Sequence, residues 1–278
     1  MSFKIVCDSC TDLSEELKKN SNFVSVPLIL HLDDRDYIDD ETFNQKEFLA
    51  TMKASSNCPK SSCPSPEAFM KYFDTAEDIY IVTLSSQLSG SYNSASLAKE
   101  LYLEEHSNKN IAVIDSKSAS VGQTLIALKI EELAKSGKNF DEVVAAASDF
   151  RDELGTKFVL ESLDNLRKNG RLSALKAIIA SALNIKPIMG STKEGTIMKV
   201  DQARGMKKAL IAMAEIIAKE VKHSEKKILG IAHCNCPERA ELVKNEIQKL
   251  VRFKEVLIVD TAGVSSLYAN DGGVIVCY

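Results

Sequence analysis

The chain has 278 residues, enough for one large domain or two smaller ones with a substantial core. It is 45% hydrophobic and 27% charged with a net charge of −4, a balance ordinary for a globular protein. The absence of Trp, the 6% aromatic content and the lack of any concentrated basic face exclude the surfaces that nucleic-acid binding uses.

The first residues, Met1-Ser2-Phe3-Lys4-Ile5-Val6, run straight into strand-like sequence, without the charged start and long apolar core of a signal peptide. No window approaches the roughly 18 uninterrupted apolar residues of a membrane-spanning helix. The expectation is a cytoplasmic protein whose membrane contact, if any, is transient. Seven scattered cysteines argue for reduced thiols and against a disulfide framework. Cys7/Cys10, and Cys234 and Cys236 beside His233, lack the further ligands that would close a metal site, so no metal is expected.

Residues 4–7 read as a strand, followed by the loop Asp8-Ser9-Cys10-Thr11-Asp12-Leu13-Ser14, with Ser14 placed to cap a helix from Glu15. Residues 23–32 form one apolar run, read as a second strand that ends in the polar loop 33–40, and a helix follows over 43–52. The stretch 54–66 holds three prolines and several serines and reads as an ordered loop. After a helix over 67–75 comes Ile81-Val82-Thr83-Leu84-Ser85-Ser86-Gln87-Leu88-Ser89-Gly90-Ser91-Tyr92, a buried strand turning into a helix over Ser91–Glu105. Two readings of that turn stand side by side: a helix cap, and hydroxyls with free N–H groups converging on an anion. A strand over 111–115, a Ser-rich loop over 116–122 and a helix over 123–135 complete this half. The alternation predicts an α/β fold, a parallel sheet with helices on both faces. Three Ser-rich loops then share the carboxyl edge of the strands, where such sheets gather their ligands.

Ser136-Gly137-Lys138-Asn139 is the expected boundary between an N-terminal α/β domain (1–138) and a C-terminal α+β domain (139–278). The second half reads as a helix over 141–154, a strand over 157–161 and a short helix stopped at Gly170 with a restart at Ser173. An apolar helix over 175–183, an extended segment over 184–189, a hairpin edge strand over 194–200 and a long amphipathic helix over 204–222 follow. The strand Ile228–His233, a helix over 237–251 and strands over 256–260 and 273–278 end the chain.

No P-loop, no Rossmann glycine fingerprint and no G-x-S-x-G elbow occurs. The residues favour binding over covalent chemistry and call for no cofactor. Two alternatives stay open: a hydrolase of a small ester or phosphorylated metabolite, with Ser86 or Ser89 as nucleophile and His233 as base, and a binder of another anionic lipid.

Several stretches together resemble the DegV family of bacterial fatty-acid-binding proteins. Residues 7–14 are similar to its T-D-S-T-S-D-L-S opening, and Val26-Pro27-Leu28 with Tyr37-Ile38-Asp39 to its P-L…Y-x-D segment. Ser61-Ser62-Cys63-Pro64-Ser65 resembles T-S-Q-P-S, and Ser85-Ser86-Gln87-Leu88-Ser89-Gly90-Ser91-Tyr92 resembles S-S-x-L-S-G-T-Y. Asp115-Ser116-Lys117, Gly170-Arg171-Leu172-Ser173, Lys186-Pro187-Ile188 and Ala203-Arg204 follow in the family's order.

The resemblance implies a two-domain protein with a fatty acid buried between the domains. Its carboxylate would be held at Ser61, Ser89 and Tyr268, with the Gly90 N–H contributing. Ser61 stands where the family has Thr and keeps the hydroxyl. Tyr268 stands where the family has His, so the donor cannot become cationic near neutral pH, and Asp271 adds a negative charge close by in the sequence. The acyl tunnel would draw on apolar residues of the second half: Ile178, Ile179, Leu183, Ile185 and Ile188. Some members of the family present their fatty acid to an ATP-dependent fatty acid kinase. In that case Arg171 and Arg204 are candidates for the partner surface.

Overall fold

The computed structural model describes residues 2–172 and 184–278. Strand β1 (Phe3–Asp8), helix α1 (Glu15–Lys19) and strand β2 (Phe23–Val26) open the chain, and Ser14 caps α1 by accepting from the Leu17 N–H. Expected as a single strand over 23–32, the chain instead breaks at Pro27, which has no N–H to continue a ladder. The next strands, β3 (Ile29–Leu32), β4 (Arg35–Ile38) and, after α2 (Gln45–Ala54), β5 (Lys60–Ser62), form a separate antiparallel sheet in the order β4-β3-β5. β5 lies inside the stretch read as loop; its Ser and Pro residues hid a strand of only three residues.

Helix α3 (Pro66–Met70), strand β6 (Asp78–Thr83), helix α4 (Ser91–Glu105), strand β7 (Asn110–Asp115) and helices α5 (Val121–Lys135) and α6 (Phe140–Asp152) follow. The sheet β2-β1-β6-β7 is parallel throughout, as the alternation predicts. Successive strand residues face opposite ways. Ile5, Tyr80, Val82 and Ile114 therefore pack under α5 and α6, while Val6, Ile79, Ile81 and Ile111 meet α3 and α4. Helix α6, read as the start of the second domain, buries Val143 and Ala147 in the first. α6 thus packs on the N-terminal layer from beyond the expected boundary at residue 138.

The rest of the chain forms strand β8 (Thr156–Val159), helix α7 (Asp164–Lys168), the hairpin β9 (Ile185–Ser191) and β10 (Ile197–Arg204), and helix α8 (Met206–Glu220). Strand β11 (Ile228–His233), helix α9 (Pro237–Gln248), strand β12 (Glu255–Asp260), helix α10 (Gly263–Ala269) and strand β13 (Val274–Cys277) complete it. The six strands run in the order β10-β9-β8-β13-β11-β12, with only β11 and β12 parallel. α8 and α9 cover one face through Leu210, Met213, Ile217, Val243 and Ile247. Part of the other face meets α5, whose Val121 and Leu125 touch Ala232, Val259 and Cys277. Among the described residues no helix is long and apolar enough to cross a membrane.

Candidate functional site

Between the two larger sheets lies a cavity of about 300 Å³. Ser61, Ser89, Gly90 and Tyr268, named from the sequence, all line it. Each arrives by a separate element. Ser61 stands opposite Leu30 in the β3–β5 pair, and Leu30 is fully buried, so Ser61 shares the inward face. Its hydroxyl lies 3.3 Å from the hydroxyl of Tyr268 on α10. The neighbouring Ser62 turns the other way: it meets His31 Nε2 at 3.0 Å, while His31 Nδ1 meets Asp36 at 2.6 Å. That outward chain of contacts pins β5 in register.

Ser89 ends the turn between β6 and α4, where its N–H donates to the Ser85 carbonyl at 3.0 Å. Its Oγ accepts from the Ser91 N–H at 3.2 Å, so Ser89 satisfies the first N–H of α4 and lines the cavity at once. The other serines of this turn are committed elsewhere. Ser85 donates to the Gly195 carbonyl at 2.8 Å and Ser86 to Asp115 at 2.5 Å.

Arg171, read from sequence as a partner-surface residue, is half-buried and lines the cavity. Its Nε donates to the Leu88 carbonyl at 3.0 Å and its Nη1 to the Asn169 carbonyl at 2.6 Å. The guanidinium sits 5.8 Å from the centre of the Tyr268 ring. The hydroxyl end therefore has a permanent cation beside it. Burial pushes the Tyr268 phenol above its usual range, with Ser61 and Arg171 pulling the other way, and leaves it a neutral donor at physiological pH. Asp271 does not enter: it is exposed and accepts from Asn235 Nδ2 at 3.0 Å.

From that end the wall becomes apolar. Thr156, Phe158 and Leu160 line the cavity in alternate positions along β8 and its extension, a row of about 13 Å at strand spacing. Ile275 pairs with Phe158 across β13 and joins the same wall, with Leu88, Leu166 and Ile197. Ile188 is not part of it. On β9 it faces α8, packed with Leu210 and Met213, while its neighbour Met189 faces the cluster of Phe158 and Leu160. One residue of register separates core from cavity side. Ile185 is half-buried on β9, paired with Arg204 and away from the cavity lining. Ile178, Ile179 and Leu183 lie outside the described residues. Arg204 is exposed at the end of β10.

Beneath the site are three buried aspartates that sequence reading did not single out. Asp8 accepts from the Leu84 N–H at 2.7 Å and from Gln123 Nε2 at 2.8 Å, fixing the start of the Ser89 turn. Asp12 accepts from the Ala262 N–H at 2.7 Å and from the Ser120 hydroxyl. Asp39 accepts from the Gly263 N–H at 2.6 Å, the Val264 N–H at 2.9 Å and Ser9 Oγ at 2.8 Å. Carboxylates of the N-terminal half thus hold the first turn of α10, the helix that carries Tyr268. A Cβ on Gly263 would sit 2.6 Å from Asp39 Oδ1, so only glycine admits this approach. Desolvation raises all three, Asp12 to about 7 and Asp39 to about 6.

The hydrolase geometry is not assembled. His233 lies 3.4 Å from Asp260 and accepts from the Cys236 N–H at 3.4 Å, and it does not line the cavity with Ser89. Burial pushes the Cys7 and Cys236 thiols up to about 12 and that of Cys234 to about 11.

The sequence profile of the DegV family, described as uncharacterised proteins, matches residues 2–278. The chain belongs to the DegV family. It is 39% identical over 280 residues to a DegV domain-containing protein of Streptococcus pyogenes serotype M1, covering 100% of this chain and 99% of that one. Among solved structures it is similar to a DegV family protein from Ruminococcus gnavus crystallised with vaccenic acid, with a TM-score of 0.97, 50% identity and 99% of each chain covered. It is also similar to the Streptococcus pneumoniae fatty acid kinase B3 protein loaded with linoleic acid, with a TM-score of 0.91, 35% identity, and 100% and 99% of the two chains covered.

Proposed function

We propose that this DegV protein binds a long-chain fatty acid. The carboxylate sits among Ser61, Ser89, the Gly90 N–H and Tyr268, with Arg171 beside it, and the acyl chain runs along Phe158 and Leu160. The observation that carries this reading is a cavity with hydroxyls and one guanidinium at one end and apolar wall behind them. A carboxylate taken out of water needs such partners, because an unpaired buried charge costs several kcal/mol or more. Each buried methylene contributes about 0.8 kcal/mol, so affinity comes from the chain and orientation from the hydroxyls. The bound fatty acids of the Ruminococcus and pneumococcal relatives support the ligand class.

The protein is a binder and not a catalyst in this reading, works in the cytoplasm without a cofactor, and presents its acid to an ATP-dependent fatty acid kinase. The name of the pneumococcal relative supports that partner. Exposed Arg204 is the proposed kinase contact. The test is mass analysis of lipid extracted from the purified protein, with Ser89→Ala alongside. A long-chain acid should co-purify, and Ser89→Ala should weaken binding about tenfold to a hundredfold, the worth of one hydrogen bond to a charged group. Ligand-free protein that takes up no added fatty acid, or an unchanged Ser89→Ala, would refute the assignment.

A further inference from the structure

The far end of the cavity does not close on apolar wall. Ser118 and Thr156, whose hydroxyls lie 2.9 Å apart, line it there together with Lys117 and Ser191. The same four residues also line a second cleft of about 610 Å³. That cleft is cationic. Six basic side chains line it, against the three carboxylates of Asp152, Glu153 and Glu220. Asp152 is already taken by Lys117 at 2.8 Å and Arg151 at 3.0 Å, and Glu220 by Lys157 at 2.7 Å. The other three bases, Lys193, Lys222 and Lys227, make no ion pair among the described residues.

A chain of net charge −4 thus gathers three uncommitted lysines where the acyl cavity ends. Thr156 and Leu160, four positions apart on one face, lie about 13 Å from each other along this wall. A ligand anchored at Ser61 and Ser89 and lying along Phe158 carries its other end toward Ser118, Thr156 and the lysines. A methyl terminus gains nothing from hydroxyls and ammonium groups. A second carboxylate there keeps its water and meets opposite charge.

We propose that the cleft is an anion site continuous with the acyl cavity, and that the protein accepts long-chain dicarboxylic acids whose second carboxylate is held by Lys193, Lys222 and Lys227. The proposal rests on the fatty-acid reading above and names the ligand class more narrowly.

Displacement of a fluorescent fatty acid by palmitic acid, hexadecanedioic acid and inorganic phosphate tests it, on the wild-type protein and on the triple variant Lys193→Glu, Lys222→Glu, Lys227→Glu. Hexadecanedioic acid should bind within about threefold of palmitic acid, because its second charge is not buried. The triple variant should weaken it about tenfold and leave palmitic acid unchanged, which also shows that the variant is folded. A diacid bound a hundredfold more weakly than palmitic acid overturns the proposal, as does a variant that changes both acids or neither. Phosphate that competes with neither acid, yet binds and is lost in the variant while the diacid stays weak, marks a free-anion site and overturns it too. Failure of palmitic acid itself to bind would strike the underlying fatty-acid reading instead.

Discussion

Replacing Asp39 by alanine tests how the hydroxyl end of the cavity is held together. The carboxylate accepts from the Gly263 and Val264 N–H groups at 2.6 and 2.9 Å and is 3% exposed. Both donors lose their acceptor, at about 1–3 kcal/mol each, so the interactions removed are worth about 4 kcal/mol. Against this stands the burial of the charge. With its pKa raised to about 6, Asp39 holds its proton more tightly in the folded protein than in the unfolded chain, where the ordinary value is near 3.9. Its contribution to stability is therefore fully present below about pH 4 and is lost as pH rises through about 6, a decline of about 3 kcal/mol. The alanine variant has no such decline. Urea unfolding should show it less stable than wild type by about 4 kcal/mol near pH 4, narrowing to about 1 kcal/mol near pH 8. Because α10 also carries Tyr268, fatty-acid affinity should fall across the whole range. A difference that stays constant or widens with pH would refute the buried-charge account, and unchanged affinity would refute the clamp.

Other expectations are local. Tyr268→His should make fatty-acid binding pH-dependent, about tenfold tighter at pH 6 than at pH 8 as the imidazole gains its charge, whereas the wild-type phenol, raised above its usual range, gives a flat profile. A flat profile for the variant in a displacement assay would place residue 268 away from the carboxylate. Gly195→Ala should cost about 2–4 kcal/mol in urea unfolding, combining left-handed strain with overpacking. Gly195 has φ +87°, and a Cβ there would sit 2.4 Å from Ser85 Oγ and 2.8 Å from Lys117 Cα.

How much of this was legible in the sequence depends on how local the signal is. The parallel sheet was readable because β1, β6 and β7 are apolar runs that each end in a polar loop before a helix, a pattern of a few neighbouring residues. The cavity position of Ser61 and Ser89 was readable because both lie in motifs that resemble the family's. Arg171 lies in one as well, but its place in the cavity depends on the Leu88 carbonyl, 83 positions away. Ile188 and Met189 show the limit on the acyl side: adjacent apolar residues on one strand face different clusters, and hydropathy does not say which face is which. The alternation of Thr156, Phe158 and Leu160 was the available signal for the cavity wall. α10 went unread because its seven residues, Gly263–Ala269, are short and buried on nearly all sides, so no helical period shows.

Binding and the docking of the two halves are then one equilibrium. Ser61, Ser89 and Leu88 come from the N-terminal half, and Phe158, Ile275 and Tyr268 from the C-terminal half, so an acid in the cavity touches both. Among the contacts that join the halves at this end are those of Asp12 and Asp39 with the first turn of α10, which carry the cost of two buried charges. A ligand present at a hundred times its dissociation constant adds about 2.7 kcal/mol to the joined state. That is of the same order as the cost of burying the Asp39 charge. An acid bound as proposed would therefore act as part of the interface, and separating α10 from Asp12 and Asp39 would release it from the side that carries Tyr268.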